Sequence, residues 1–230
     1  MLFIISLLFS CQLPADHSES VIRKAIDNIV VINTHEHQRS PHELNTEKYN
    51  FYHLLEVSYL QADVRSAGAP GFGRDKLDSL DADDLWGGYG QGLDYSRTTS
   101  YYSHFIKGFQ KLYGLEDLYF TKENVTWLSS QIEENYEDYA KWFGKAFKEA
   151  GFELMFNDQY WNPYNCDINR KYFALVFHIN PLVMEVSNKP EPDAEKKNIY
   201  KQAEIDGFTI NNLDDYLVYC EYLFTKNVEN

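Results

Sequence analysis

The sequence predicts an α/β fold: a parallel sheet whose first strand is followed by a large helical insertion. Three observations predict it. Apolar runs at residues 29–32, 152–157 and 172–179 read as strands. Residues 40–150 between the first two runs carry helical spacing instead. Strands separated by helices pair in parallel. A closed eight-stranded β/α barrel takes about 250 residues before insertions. A chain of 230 residues with such an insertion cannot close one alone. Either the sheet is open or the polypeptide stops part-way through its domain.

Taken in order, residues 13–20 read as a polar tether. Residues 19–28 read as a helix, with Val21, Ile22, Ala25 and Ile26 at helical spacing. Residues 28–34 form the first strand, apolar on both faces as a buried parallel strand should be. Residues 47–67 are helical, with Phe51, Leu54, Leu55, Tyr59 and Val64 along one side and a stop at Gly68. Residues 68–92, rich in Gly and Asp, read as loop. Residues 101–113 form a helix ended by Gly114. Thr121 caps a long helix running to Ala150 and stopped by Gly151. The two later strands follow. Residues 189–197 are charged and Pro-bearing, hence an exposed loop, and Asn212 caps a last helix to about Lys226.

The chain carries 35 acidic against 21 basic residues, a formal charge of −14, which argues against nucleic acid as a partner. Its 18 Tyr, 15 Phe and 4 Trp supply ample surface for a core and argue against disorder. The first ten residues are an apolar run too short to span a bilayer and suited to an export signal. Leu8-Phe9-Ser10-Cys11 resembles a bacterial lipoprotein processing site, which makes Cys11 the candidate for lipidation. The protein is then exported and tethered to the membrane of the cell envelope through an N-terminal lipid. No Lys or Arg precedes the apolar run, which departs from the usual pattern. Cys166 and Cys220 form neither a disulfide framework nor a zinc-ribbon spacing and read as isolated buried thiols.

The feature richest in chemistry is His35-Glu36-His37, directly after Ile29-Val30-Val31-Ile32. In a strand, residues i and i+2 point to the same side. A strand ending in His-x-His therefore aims two imidazoles into one space, an arrangement that suits a divalent metal, zinc or alternatively manganese. Catalytic zinc takes three protein ligands, so this pair is only part of such a set. Glu36 faces the other way and reads as structural.

From Ile22 onward the sequence resembles the amidohydrolase superfamily, the metal-dependent hydrolases that include uronate isomerases. The resemblance rests on Val30-Val31-Ile32-Asn33-Thr34-His35-Glu36-His37, on the helix ending Tyr59-Leu60-Gln61-Ala62-Asp63-Val64-Arg65-Ser66-Ala67-Gly68, and on Arg97-Thr98-Thr99-Ser100-Tyr101 followed by Leu112-Tyr113-Gly114-Leu115-Glu116-Asp117. Asn33 stands where that family usually has Asp. The resemblance implies the N-terminal part of a (β/α)8 TIM-type barrel over residues 21–230, truncated before its later strands. It implies a metal-dependent hydrolase of a small-molecule substrate in which His35 and His37 are the first metal ligands. The family's remaining ligands and its catalytic Asp have no counterpart here, so the chain is expected to have little or no activity of its own.

Asn157-Asp158 and His178 lie at the ends of the second and third strands, where site residues of β/α folds collect, and are candidates to contact substrate or to fix a ligand's orientation. Arg97 could pair with a substrate carboxylate. His17, His42, His53 and His104 read as unremarkable. Asp75, Asp78, Asp81, Asp83 and Asp84 lack the spacing of a calcium loop and read as a solvated acidic loop. Two alternatives stand beside hydrolysis: a sugar-acid isomerase, and a non-catalytic surface lipoprotein that binds glycans through Tyr and Trp.

Overall fold

The computed structural model describes residues 15–39, 48–164, 168–184 and 198–229. Cys11, His42, Cys166 and the loop at 189–197 lie outside them. The first helix, α1, is Ala15–Asp27, so it takes in part of the expected tether. Strand β1 is Val31–Glu36. The chain then builds helices α2 (Phe51–Val57), α3 (Leu60–Ser66), α4 (Arg74–Ser79), α5 (Ala82–Tyr95), α6 (Ser100–Tyr113), α7 (Lys122–Tyr136) and α8 (Tyr139–Glu149). Strands β2 (Phe152–Asp158) and β3 (Phe173–Val176) follow, then helices α9 (Asn180–Met184), α10 (Ile199–Ile205) and α11 (Leu213–Glu229).

The described residues are mostly helical, with one small parallel sheet in the order β1-β2-β3. This corrects the expected fold class: they do not form a (β/α)8 TIM-type barrel, in whole or in part. The physical reason lies in where the apolar side chains are spent. Helices α2 to α8 bury a core of their own around Phe51, Leu55, Val64, Leu93, Leu128 and Ile132. Strand β1 is exposed at the sheet edge: Val31 is 38% exposed and Ile32 52%. The expectation of a strand buried on both faces fails with it.

The helical boundaries have local causes. The expected helix over 47–67 is two, α2 and α3, because Ser58 turns out of the helix in extended conformation. The expected loop over 68–92 holds α4 and most of α5. Asp81 caps α5 by accepting from the amides of Asp83 and Asp84, so the Asp cluster is helix chemistry rather than loop composition. Gly92 lets α5 approach α3, since a Cβ there would lie 2.8 Å from the carbonyl oxygen of Val64. Gly114 ends α6 in the left-handed conformation, at φ 74°. Thr121 forms a capping box with Asn124, but the long helix it was expected to start ends at Tyr136, and Asp138 caps a separate α8.

The sheet joins the helical part through Phe143, Phe147, Met155, Tyr172 and Phe173. A smaller cluster of Tyr164, Ile199, Tyr216, Tyr219 and Leu223 holds α10 and α11 together. Among the described residues no helix is long and apolar enough to cross a membrane.

Candidate functional site

Strand β1 pairs in parallel with β2, setting Asn33 beside Met155 and Glu36 beside Asn157, with irregular register between those two points. The carboxyl ends of both strands therefore meet at His35–His37 and Asn157–Asp158. Asn33 shapes the turn locally. Its Oδ1 accepts from the amide of His35 at 3.1 Å, and its Nδ2 donates to Glu36 Oε2 at 3.2 Å. Glu36 Oε1 in turn accepts from the amide of His37 at 2.8 Å.

This folding of the backbone brings the two imidazoles together. Their Nε2 atoms are 3.1 Å apart, and the rings meet nearly at right angles, with centroids 4.6 Å apart. His37 Nδ1 lies 2.8 Å from the main-chain oxygen of Asp158. A carbonyl only accepts, so His37 carries its proton on Nδ1 and turns a bare lone pair on Nε2 toward His35. Two states satisfy that geometry: His35 Nε2–H donates to His37 Nε2, or both nitrogens are bare and face one cation. Two imidazoles at about 2.0–2.1 Å from a tetrahedral zinc place their nitrogens roughly 3.3 Å apart, close to what is seen. The pair thus fits two positions of a metal's coordination sphere. Among the described residues, no group of three or more His, Cys, Asp or Glu side chains gathers to hold a metal.

The surrounding contacts fix the pair. Gln38 donates from Nε2 to Tyr139 Oη at 2.6 Å, and Asn157 donates from Nδ2 to the Gln38 carbonyl at 3.0 Å. Asn157 is 2% exposed, and its Oδ1 has no hydrogen-bond partner among the described residues. Tyr160 stands edge-on to His37, at 5.1 Å between centroids. His35, Glu36, His37, Gln38 and Arg39 line a cleft of about 560 Å³, whose other walls include Tyr49, Leu54, Tyr136 and Tyr139. Burial pushes the phenols of Tyr136 and Tyr139 well above the ordinary range, the Tyr139 shift being opposed by its hydrogen bond from Gln38. Both of these phenols are therefore uncharged at neutral pH.

The remaining candidates sit as follows. Asp158 and His178 face one another, with Oδ1 3.4 Å from Nδ1, and Asp158 also supplies the carbonyl that holds His37. Arg97 pairs with Asp94 at 2.5 Å and lies over the Tyr119 ring, 4.3 Å from its centroid; it is not part of the cleft wall. Glu36 is half-buried in the cleft lining rather than turned away from it. His53 is buried between Asn50 and Asp78 as a link from α2 to α4. Cys220 is a half-buried free thiol, pushed up in pKa by burial.

Sequence reasoning placed Asn157 at a strand end where orienting residues collect, but missed Asn33 and Gln38, which act on the imidazoles with it. Parallel pairing of 152–157 with the first strand was the one signal that could have placed Asn157 beside His35–His37. Compared with protein-family models and with characterised proteins, the chain matches none.

Proposed function

We propose that this chain provides the first two ligands of a metal-dependent hydrolase centre of amidohydrolase type, with His35 and His37 holding a zinc ion. The observation that carries this reading is the convergence of two Nε2 atoms at 3.1 Å, with His37 fixed in the tautomer that a ligand requires. When bound, the ion would supply Lewis acidity and a water of lowered pKa. The chain's own residues do the positioning. The Asp158 carbonyl holds the proton of His37 at Nδ1, Asn33 and Glu36 set the backbone between the rings, and Asn157 and Tyr139 pin Gln38 behind them.

Calorimetric titration of zinc into the full chain tests this. A one-to-one site that disappears in both His35→Ala and His37→Ala supports it. Zinc uptake unchanged in either variant sinks it. A second reading, glycan binding without a metal, draws on the tyrosines of the cleft wall. Glycan binding that survives both chelation and loss of the two imidazoles would replace the hydrolase reading.

A further inference from the structure

A second cavity, an apolar groove of about 280 Å³, opens on the helical side of the molecule. Helix α6 supplies Phe105, Gly108 and Phe109 to it, and Trp142 of α8 lines it too, 4.8 Å from the Tyr113 ring by centroids. Leu54 and Tyr136 line this groove and also line the cleft that holds His35 and His37. Leu54 and Tyr136 are thus the common border of the two cavities, and a molecule lying across that border would have the imidazole pair at one end and a wall of aromatic rings at the other. Burial raises the Tyr113 phenol to about 12 and holds that of Tyr136 higher still, so both stay uncharged at neutral pH.

We infer that the substrate of the His35–His37 centre is amphipathic, with a polar reacting head at the imidazoles and an aryl or alkyl arm in the groove between α6 and α8. This rests on the proposed metal-site reading and names its substrate class. An arm of this kind gains affinity by leaving water, about tenfold for a largely buried phenyl group. Gly108 supplies the means of testing it. Gly108 lines the groove and a Cβ there meets nothing within 4 Å, so a larger side chain is accommodated at the groove wall without pushing on the backbone.

The experiment compares acetohydroxamate with 4-phenylbutyrohydroxamate on the zinc-loaded full chain, labelled with 5-fluorotryptophan. The phenyl compound is expected to bind about tenfold tighter and to shift the fluorine signal assigned to Trp142 by a Trp142→Phe control. In Gly108→Leu both effects are expected to vanish while acetohydroxamate binding stays the same. Equal affinities for the two compounds in the unsubstituted chain overturn the inference, as does a preference that Gly108→Leu leaves intact. If zinc itself fails to bind, the metal reading falls by that separate measurement. The groove is then judged with 4-phenylbutanol on the metal-free chain: a Trp142 shift lost in Gly108→Leu supports it, and no shift overturns it.

Discussion

His37 and Asp158, 121 residues apart in the chain, are joined by a 2.8 Å hydrogen bond from the imidazole Nδ1 to a main-chain oxygen. Because the acceptor is backbone, no substitution of the Asp158 side chain removes it. The contact instead depends on β1 and β2 staying in register, and Asn157 is the side chain that ties the two strand ends together.

Asn157→Ala is therefore expected to weaken zinc binding by roughly tenfold without unfolding the chain. Calorimetry gives the affinity, and far-ultraviolet circular dichroism checks the fold. Undiminished affinity in a folded variant would show that the Gln38 clamp does not orient the imidazoles.

Zinc binding is expected to fall on acidification, because an imidazole ligates only when neutral. The loss should appear in the unsubstituted chain and be absent from the double variant His35→Ala/His37→Ala, which has no site to lose. Titrations at a series of pH values check it. An affinity that holds from neutral pH down to about pH 5 argues for carboxylate rather than imidazole ligation, since carboxylates stay ionised over that range.

Asp206 links α10 to α11 by accepting from Tyr219 Oη at 2.8 Å and from Lys226 Nζ at 3.1 Å. Burial alone would raise its pKa, but these hydrogen bonds outweigh burial and hold the carboxyl below the ordinary range. A depressed native value stabilises the fold above the unfolded pKa of about 3.9, and that contribution is lost as pH falls through the native value. Asp206→Asn is expected to lower the melting temperature near neutral pH. The difference should close below about pH 4. A gap that persists in acid would assign the effect to packing.

The glycine inside α6 and the one that ends it should respond in opposite directions. Gly114→Ala forces a Cβ into the left-handed region, and is expected to cost about 1 kcal/mol. Gly108→Ala, in mid-helix with open space at its Cβ, is expected to add about 0.5–1 kcal/mol. Urea denaturation of the two variants side by side measures both, and equal changes would contradict the helix end placed at Gly114.

Ile132 of α7 is fully buried in the helical core. Ile132→Ala is expected to cost roughly 2–5 kcal/mol, the range for deleting a buried aliphatic side chain. A change within about 0.5 kcal/mol, typical of a surface site, would place this residue outside the core.

The sequence made strand-like and helix-like periodicities visible, and both the parallel pairing of the strands and the stop at Gly114 followed from them. It misled over residues 68–92, where glycines that signal loops instead sit inside α5 and one of them meets α3 at close range. It misled again over β1, because an apolar run says nothing about whether anything covers it, and Val31 and Ile32 are exposed. The His-x-His spacing made one side of the candidate site legible. Of the contacts that orient the rings, only the strand end at Asn157-Asp158 stood out; which of its atoms serve, the Asp158 carbonyl and the Asn157 amide, is set by long-range strand pairing.

That pairing, Val31 beside Phe152, spans the whole helical segment. Closing so long a loop by random search costs entropy that grows with its length, whereas helices joined by short turns assemble from near neighbours. The segment from α2 to α8 can thus condense first and carry Phe152 into range of the strand that awaits it. The imidazole couple, held by the Asp158 carbonyl, cannot exist before β1 and β2 meet, so any signal arising from it reports that these two distant strands have joined.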